Sequence, residues 1–225
     1  SVVILLTLLT QIGGVAWLIA LVTGRRWVSF PLANVALFGA AHAVAPMAGR
    51  VTLDCFGTPL RMQSPLYCAA LRNFVTPDLA EITRAAAERV DAAHPGTVTL
   101  ALDGSFPFTN LPLLPHLSHD DGEKLDLAFS YTDPGGSYLP GRTRSPIGYV
   151  AFETLGQGTC PRAWPTLRRD MVWLQPYFSD RPLEPVRTRA LIAALLADPR
   201  VGNTFVEPPL ARQLGLSHPK LRFQG

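Results

Sequence analysis

The feature that most limits what this chain can become is an uncharged apolar run from Val2 to Thr23. Gln11 is its only strongly polar side chain. At 1.5 Å per residue, some twenty helical residues cover about 30 Å, the thickness of a bilayer's hydrocarbon core. Arg25, Arg26 and Trp27 follow at once, a basic and aromatic pair of the kind that anchors a helix end at an interface. A second apolar stretch, Phe30 to Ala48, is just long enough to span, although Pro31, Asn34, His42 and Pro46 interrupt it. The pattern predicts a transmembrane helical hairpin over residues 1–50. Arg25 and Arg26 in its turn favour a cytoplasmic turn, placing the following residues outside. Within that hairpin His42 reads as a tolerated polar group, not as a ligand. Arg25-Arg26, a short apolar core and Ala41-His42-Ala43 also imitate the three regions of a signal peptide. Under either reading, residues 51–225 form an exported domain.

Charge separates the same two parts. Of 20 basic residues only Arg25, Arg26 and Arg50 lie in residues 1–50, which hold no acid. The remaining 17 basic residues are balanced by the 17 acidic ones, so the +3 net charge belongs to the anchor and offers no case for nucleic acid. Cys55, Cys68 and Cys160 all fall in the exported part, where an oxidising compartment favours disulfides. Cys55 and Cys68 close a short loop and could pair, which leaves Cys160 odd. The chain begins inside an apolar run at Ser1 and stops at Gly225 without an evident terminator, so both ends read as truncated.

In the exported part, Arg50 to Val75 reads as loop-rich. Thr76-Pro77-Asp78 reads as a helix start, with Thr76 as N-cap and Pro77 at the first position. Leu79, Ile82, Ala86 and Val90 form the apolar stripe of that helix, which ends near His94-Pro95-Gly96. Alternation around Val98, Leu100 and Leu102 predicts a strand over 97–103, and Leu125 to Tyr131 a second one. In the second, Leu125, Leu127, Phe129 and Tyr131 share one face and Asp126, Ala128 and Ser130 the other. Residues 133–145 read as a mobile glycine- and proline-rich loop. Arg142 and Arg144 in it could contact an acidic substrate, though a solvated loop is the simpler reading. Further elements are a strand over 147–152, helices over 164–174 and 188–197, a strand over 203–207, a helical turn over 210–214 and a terminal strand over 220–224. Their order predicts an α+β domain with a small, mostly antiparallel sheet and flanking helices.

Chemistry concentrates in Ser118-His119-Asp120-Asp121-Gly122-Glu123-Lys124-Leu125-Asp126. A neutral imidazole on a loop and a carboxylate at a strand start, seven residues apart, are suitable first ligands for zinc. His119 and Asp126 could equally pair without a metal, and Asp120-Asp121-Gly122 alone reads as a turn. The Ser-His-x-x-Gly-x-x-x-Asp spacing resembles the signature shared by zinc D-alanyl-D-alanine peptidases, hedgehog-type domains and penicillin-insensitive murein endopeptidases. The third group is the most similar, because His116 precedes His119 by three residues. The resemblance implies that His119 and Asp126 bind Zn2+ and that peptidoglycan stem peptides or cross-links are the substrate. It also implies a third histidine ligand from a C-terminal His-x-His strand, with a histidine there assisting catalysis. This sequence has no His-x-His up to Gly225, so those groups are expected beyond it. His116 and Glu207 are the in-chain stand-ins for the proton carrier, and His218 for the third ligand. Together these readings describe a zinc peptidase anchored in a bacterial inner membrane with its domain in the periplasm. The rival is a non-catalytic envelope binding or scaffold module that keeps the peptidase fold.

Overall fold

A computed structural model describes residues 2–108, 113, 118–149 and 172–222. In chain order the elements are α1 (Val2–Thr10), α2 (Gly13–Thr23), α3 (Arg26–Val44), a 3-10 turn (Ala45–Ala48) and β1 (Val51–Thr52). Then come β2 (Leu60–Met62), α4 (Pro65–Ala69), β3 (Phe74–Val75), α5 (Pro77–Ala93) and β4 (Thr99–Ala101). A second 3-10 turn (Val172–Tyr177) is followed by α6 (Pro185–Ala197), β5 (Thr204–Phe205), α7 (Pro208–Gln213) and β6 (Leu221–Arg222). The fold is thus mixed helix and strand.

The strands do not form the expected mostly antiparallel sheet. They make separate two-stranded pairs: β1 with β3, β2 with β4, and β5 with β6. The first is antiparallel, with Val51 opposite Val75, and the last is parallel, with Thr204 opposite Leu221. Parallel pairing requires a crossover rather than a tight hairpin, and α7 supplies it between β5 and β6. The strand expected over 147–152 is also corrected. Ile147 and Gly148 lie in a turn whose Gly148 N–H reaches Ser145 O, Tyr149 is in no strand, and residues 150–152 fall outside the described residues. Most of the helix expected over 164–174, and Cys160, likewise lie outside them.

The chain divides into two compact units. One contains Ser1–Phe56, Ser64–Ala80 and Ala101–Asp126; the other contains Gly57–Gln63, Glu81–Leu100 and Leu127–Gly225.

In the first unit the apolar run Val2–Thr23 is broken into two short helices. The break falls at its one strongly polar residue: Gln11 adopts φ 57 and Ile12 follows without helical continuity. A Cβ on Gly13 would lie 2.7 Å from the Thr7 backbone, so the glycine lets α1 fold back tightly against α2. Only one helical stretch, Arg26–Ala48, is long and apolar enough to cross a membrane among the described residues, with a mean hydropathy of 1.5. Its polar interruptions are satisfied within the helix. Asn34 Nδ2 donates to Phe30 O at 2.9 Å, and His42 Nδ1 to Phe38 O at 3.0 Å, as a low-dielectric environment demands. Trp27, Leu32 and Val35 are exposed, as are Val44 and Met47 toward the other end, where Ala41 and Ala45 are buried. Ala41 and Ala45 join Ile12, Leu71, Phe74, Phe106 and Leu113 in one apolar core. Fully burying side chains such as Phe74 and Phe106 stabilises by about 1.5–3 kcal/mol each. A Cys55–Cys68 disulfide ties β1's exit to α4 in the same unit.

The start of α5 follows its sequence signature. Thr76 Oγ1 accepts from Leu79 N at 3.4 Å and Thr76 O from Ala80 N at 3.0 Å.

In the second unit Ala86 and Val90 of α5 pack on Leu191 and Ala194 of α6, with Leu127 against them. Ile192 and Leu196 pack instead on Val206, Leu210 and Leu214, with Phe129 alongside. Glu184 caps α6 by accepting from Arg187 N at 2.6 Å. The segment after Leu127 is held by these apolar side chains and by separate backbone bonds, among them Ala128 N to Leu100 O at 2.9 Å and Glu184 N to Ser130 O at 2.8 Å. Its described ladder contacts are single bridges, such as Tyr131 with Leu183, rather than a continuous strand.

Candidate metal centre

The first unit brings His119 and Asp126 together. His119 is buried, and its Nε2 lies 3.6 Å from Asp126 Oδ1, whose carboxylate is partly open to solvent. The other ring nitrogen, Nδ1, is 2.7 Å from Gly104 O. A carbonyl can only accept, so Nδ1 carries the proton in that contact, and Nε2 is the nitrogen turned to the carboxylate.

Several local features fix this arrangement. Asp126 N donates to Asp103 O at 2.9 Å and Leu102 N to Asp126 O at 2.8 Å, setting Asp126 beside the exit of β4. Gly104 N donates to Arg72 O at 2.9 Å. A Cβ on Gly104 would stand 2.6 Å from Phe74 O, so only glycine lets this backbone approach closely enough to present its carbonyl to the imidazole. Asp103 is 2 % exposed, and its carboxylate takes a two-pronged contact from Arg72, at 2.5 Å from Nε and 2.9 Å from Nη2. That fork is the geometry in which guanidinium and carboxylate bind most strongly.

Gly122 has a positive φ of 78, which the turn after Asp121 requires. It also lies under a guanidinium: a Cβ there would be 2.5 Å from Arg50 Nε. Arg50 is buried, and its Nε finds no hydrogen-bond partner among the described residues. Gly122 O accepts from Thr76 N at 2.9 Å, tying the motif turn to the start of α5. Asp121 pairs with Lys124 and accepts from Glu123 N. Its slight burial pushes that carboxyl up, but Lys124 and the Glu123 N–H prevail and hold it below the usual range.

The electrostatics of His119 reflect competing influences. Burial, the largest, pushes the imidazole's pKa down. The Asp126 carboxylate, the Gly104 carbonyl and the Asp103 charge push it up and prevail, so the pKa is raised. At 3.6 Å the Asp126 contact is a charge contact rather than a close hydrogen bond. Tyr67, also buried, has its phenol pushed up by burial first, then by Asp103 and, more weakly, by Asp126, against the pull of Arg72. It stays protonated at neutral pH.

Two donors facing each other across 3.6 Å suit a shared cation about 2.0–2.2 Å from each. The hydrogen bond from the far ring nitrogen to a carbonyl is the usual way a zinc-binding imidazole is oriented. His119 and Asp126 therefore fit zinc as two of its ligands. Among the described residues no three His, Cys, Asp or Glu side chains are grouped to hold a metal ion. His116 lies outside the described residues. His218 and Glu207 belong to the second unit, where His218 Nδ1 accepts from Lys220 N at 3.2 Å and Glu207 O accepts from Ala211 N at 2.9 Å.

Sequence reasoning missed Gly104, Asp103, Arg72, Tyr67 and Arg50. The only local signal was Asp103-Gly104 at the end of a predicted strand. No family model matches this sequence, and no curated protein matches it.

Proposed function

We propose that this chain is a membrane-anchored zinc-dependent peptidase that hydrolyses amide bonds of peptidoglycan stem peptides or cross-links. The observation that carries the reading is the buried His119, with Nδ1 held by Gly104 O and Nε2 facing Asp126 Oδ1. Zinc, when bound, supplies a Lewis acid and a water acidified to a pKa of about 7. The chain's own residues do the rest. The Gly104 carbonyl fixes the imidazole tautomer so that Nε2 keeps a lone pair for the metal. Asp126 contributes a negative charge at a partly solvated edge, where a peptide carbonyl can approach. The Arg72–Asp103 pair holds the backbone that carries both Gly104 and the Asp126 contact. His116 is the proposed proton carrier between water and leaving amine, on the strength of its spacing from His119.

Membrane anchoring rests on the apolar helix Arg26–Ala48 and on its partner α2. Trp17 meets Phe30 edge-on, with ring centroids 5.7 Å apart, across the turn at Gly24. With Arg25 and Arg26 at that turn on the cytoplasmic side, the catalytic part lies in the periplasm.

The test is digestion of purified peptidoglycan by the full-length protein in detergent, with released peptides read by mass spectrometry. The wild type is expected to cleave, and His119→Ala and Asp126→Ala to lose cleavage. Cleavage by both variants at the wild-type rate overturns the peptidase reading. Wild-type protein that retains wall peptides without cutting them identifies an envelope binding module instead.

A further inference from the structure

The candidate membrane span and the candidate metal centre belong to one unit and meet at two places. The first is the apolar core. Ala41 and Ala45, near the end of the span, pack with Leu71, Phe74 and Phe106, and the His42 ring lies 5.1 Å from the Phe74 ring. Phe74 O accepts from Ser105 N at 2.7 Å and from Ser105 Oγ at 2.9 Å. Ser105 follows Gly104, whose carbonyl lies 2.7 Å from His119 Nδ1. Phe74 and the Gly104–Ser105 backbone thus link the end of the span to the imidazole.

The second meeting place is Arg50. The span ends at Ala48 and β1 starts at Val51, so Gly49 and Arg50 are the whole connection. Gly49 N donates to Pro46 O at 3.0 Å and Arg50 N to Ala45 O at 2.9 Å. The buried Arg50 guanidinium lies against Gly122, the glycine of the His119–Asp126 motif, where a Cβ would meet its Nε at 2.5 Å. β1 then pairs with β3, Val51 opposite Val75 and Thr52 opposite Phe74. The connection is a hydrogen-bonded part of the fold rather than a flexible tether.

A flexible linker would let an anchored domain work over a range of heights above the bilayer. A span fused into the core fixes one height. The core starts at Ala41, before the span ends at Ala48, and that height is therefore the bilayer surface. We propose that the metal centre works at the membrane surface and that its substrate is a stem peptide carried on a membrane lipid, rather than the peptides of wall strands farther out. The proposal rests on the peptidase and membrane-anchor readings and names the substrate class for them.

Full-length protein in phospholipid vesicles tests it. The probe is a synthetic stem peptide joined to a lipid through oligoproline, a semi-rigid spacer of about 3.1 Å per residue. Spacers of about 3 and about 20 prolines hold the peptide about 10 Å and about 60 Å from its lipid. With His119→Ala as the blank, cleavage is expected to fall about tenfold or more from the short spacer to the long one, because a stiff spacer that overshoots the site cannot deliver the amide. Equal cleavage at both lengths, or faster cleavage at the longer one, overturns the proposal and leaves the peptidase reading standing. Cleavage of neither probe by protein that floats with the vesicles overturns the peptidase reading and the substrate with it. Protein that does not float with the vesicles overturns the anchor on which the fixed height depends.

Discussion

Each of the two units holds a distinct arrangement of arginines. In the first, Arg72 is buried against Asp103, and His119 against Asp126, so the charges of the candidate metal centre are met inside the protein. In the second, Arg142, Arg144 and Arg181 line one cleft. The difference separates two uses of a cation. A buried pair fixes the backbone around it and makes each partner costly to remove. An exposed arginine such as Arg142 adds little to folding.

The largest expected effect comes from breaking the internal pair. Arg72→Met strands the Asp103 carboxylate in the core and is predicted to cost about 3–5 kcal/mol in urea unfolding of the full-length protein. Adding Asp103→Leu should recover much of that loss, since no charge is then left uncompensated. A smaller effect is expected at the motif turn. Gly122→Ala places a Cβ against the buried Arg50 guanidinium at a φ of 78, and should cost about 1–3 kcal/mol by the same measurement.

A pH titration of stability sharpens the contrast further. With metal chelated, His119 has a pKa raised above its unfolded value. Its contribution is therefore fully present below the unfolded pKa and lost as pH rises through the folded one. Chelated wild-type protein should lose stability over that window, and His119→Gln should flatten the profile there. A wild-type profile that stays flat across it would remove the His119–Asp126 charge contact from the account. The smallest effect belongs to the cleft: Arg142→Gln should change unfolding stability by no more than about 0.5 kcal/mol. A loss on the scale of Arg72→Met would mean that Arg142 serves folding as Arg72 does.

Much of the local structure was legible because it depends on neighbouring residues. Thr76-Pro77-Asp78 started α5, and the apolar stripe through Ile82, Ala86 and Val90 named its buried face. The break in the first apolar run was less legible. Gln11 read as one polar side chain in a spanning helix, whereas Gln11 and Gly13 end one helix and start another. Strand pairing was misjudged because register and direction depend on distant segments, and α7 turns the last pair parallel. His119 and Asp126 stood out because seven residues and a glycine separate them. Their supports did not, since Arg72 and Asp103 are 31 positions apart and no local pattern links them. The cleft was half legible: Arg142 and Arg144 were visible in the sequence, but Gln63, which orders their loop, lies 80 positions from Thr143.

The claim on which the peptidase account rests is that His119 and Asp126 share a zinc ion. Measuring zinc bound per chain on the full-length protein, with wild type, His119→Ala and Asp126→Ala dialysed against the same zinc buffer, tests it most directly. The account predicts about one tightly held zinc in the wild type and its loss in both variants. Equal zinc content in all three proteins, or none in the wild type, would contradict it.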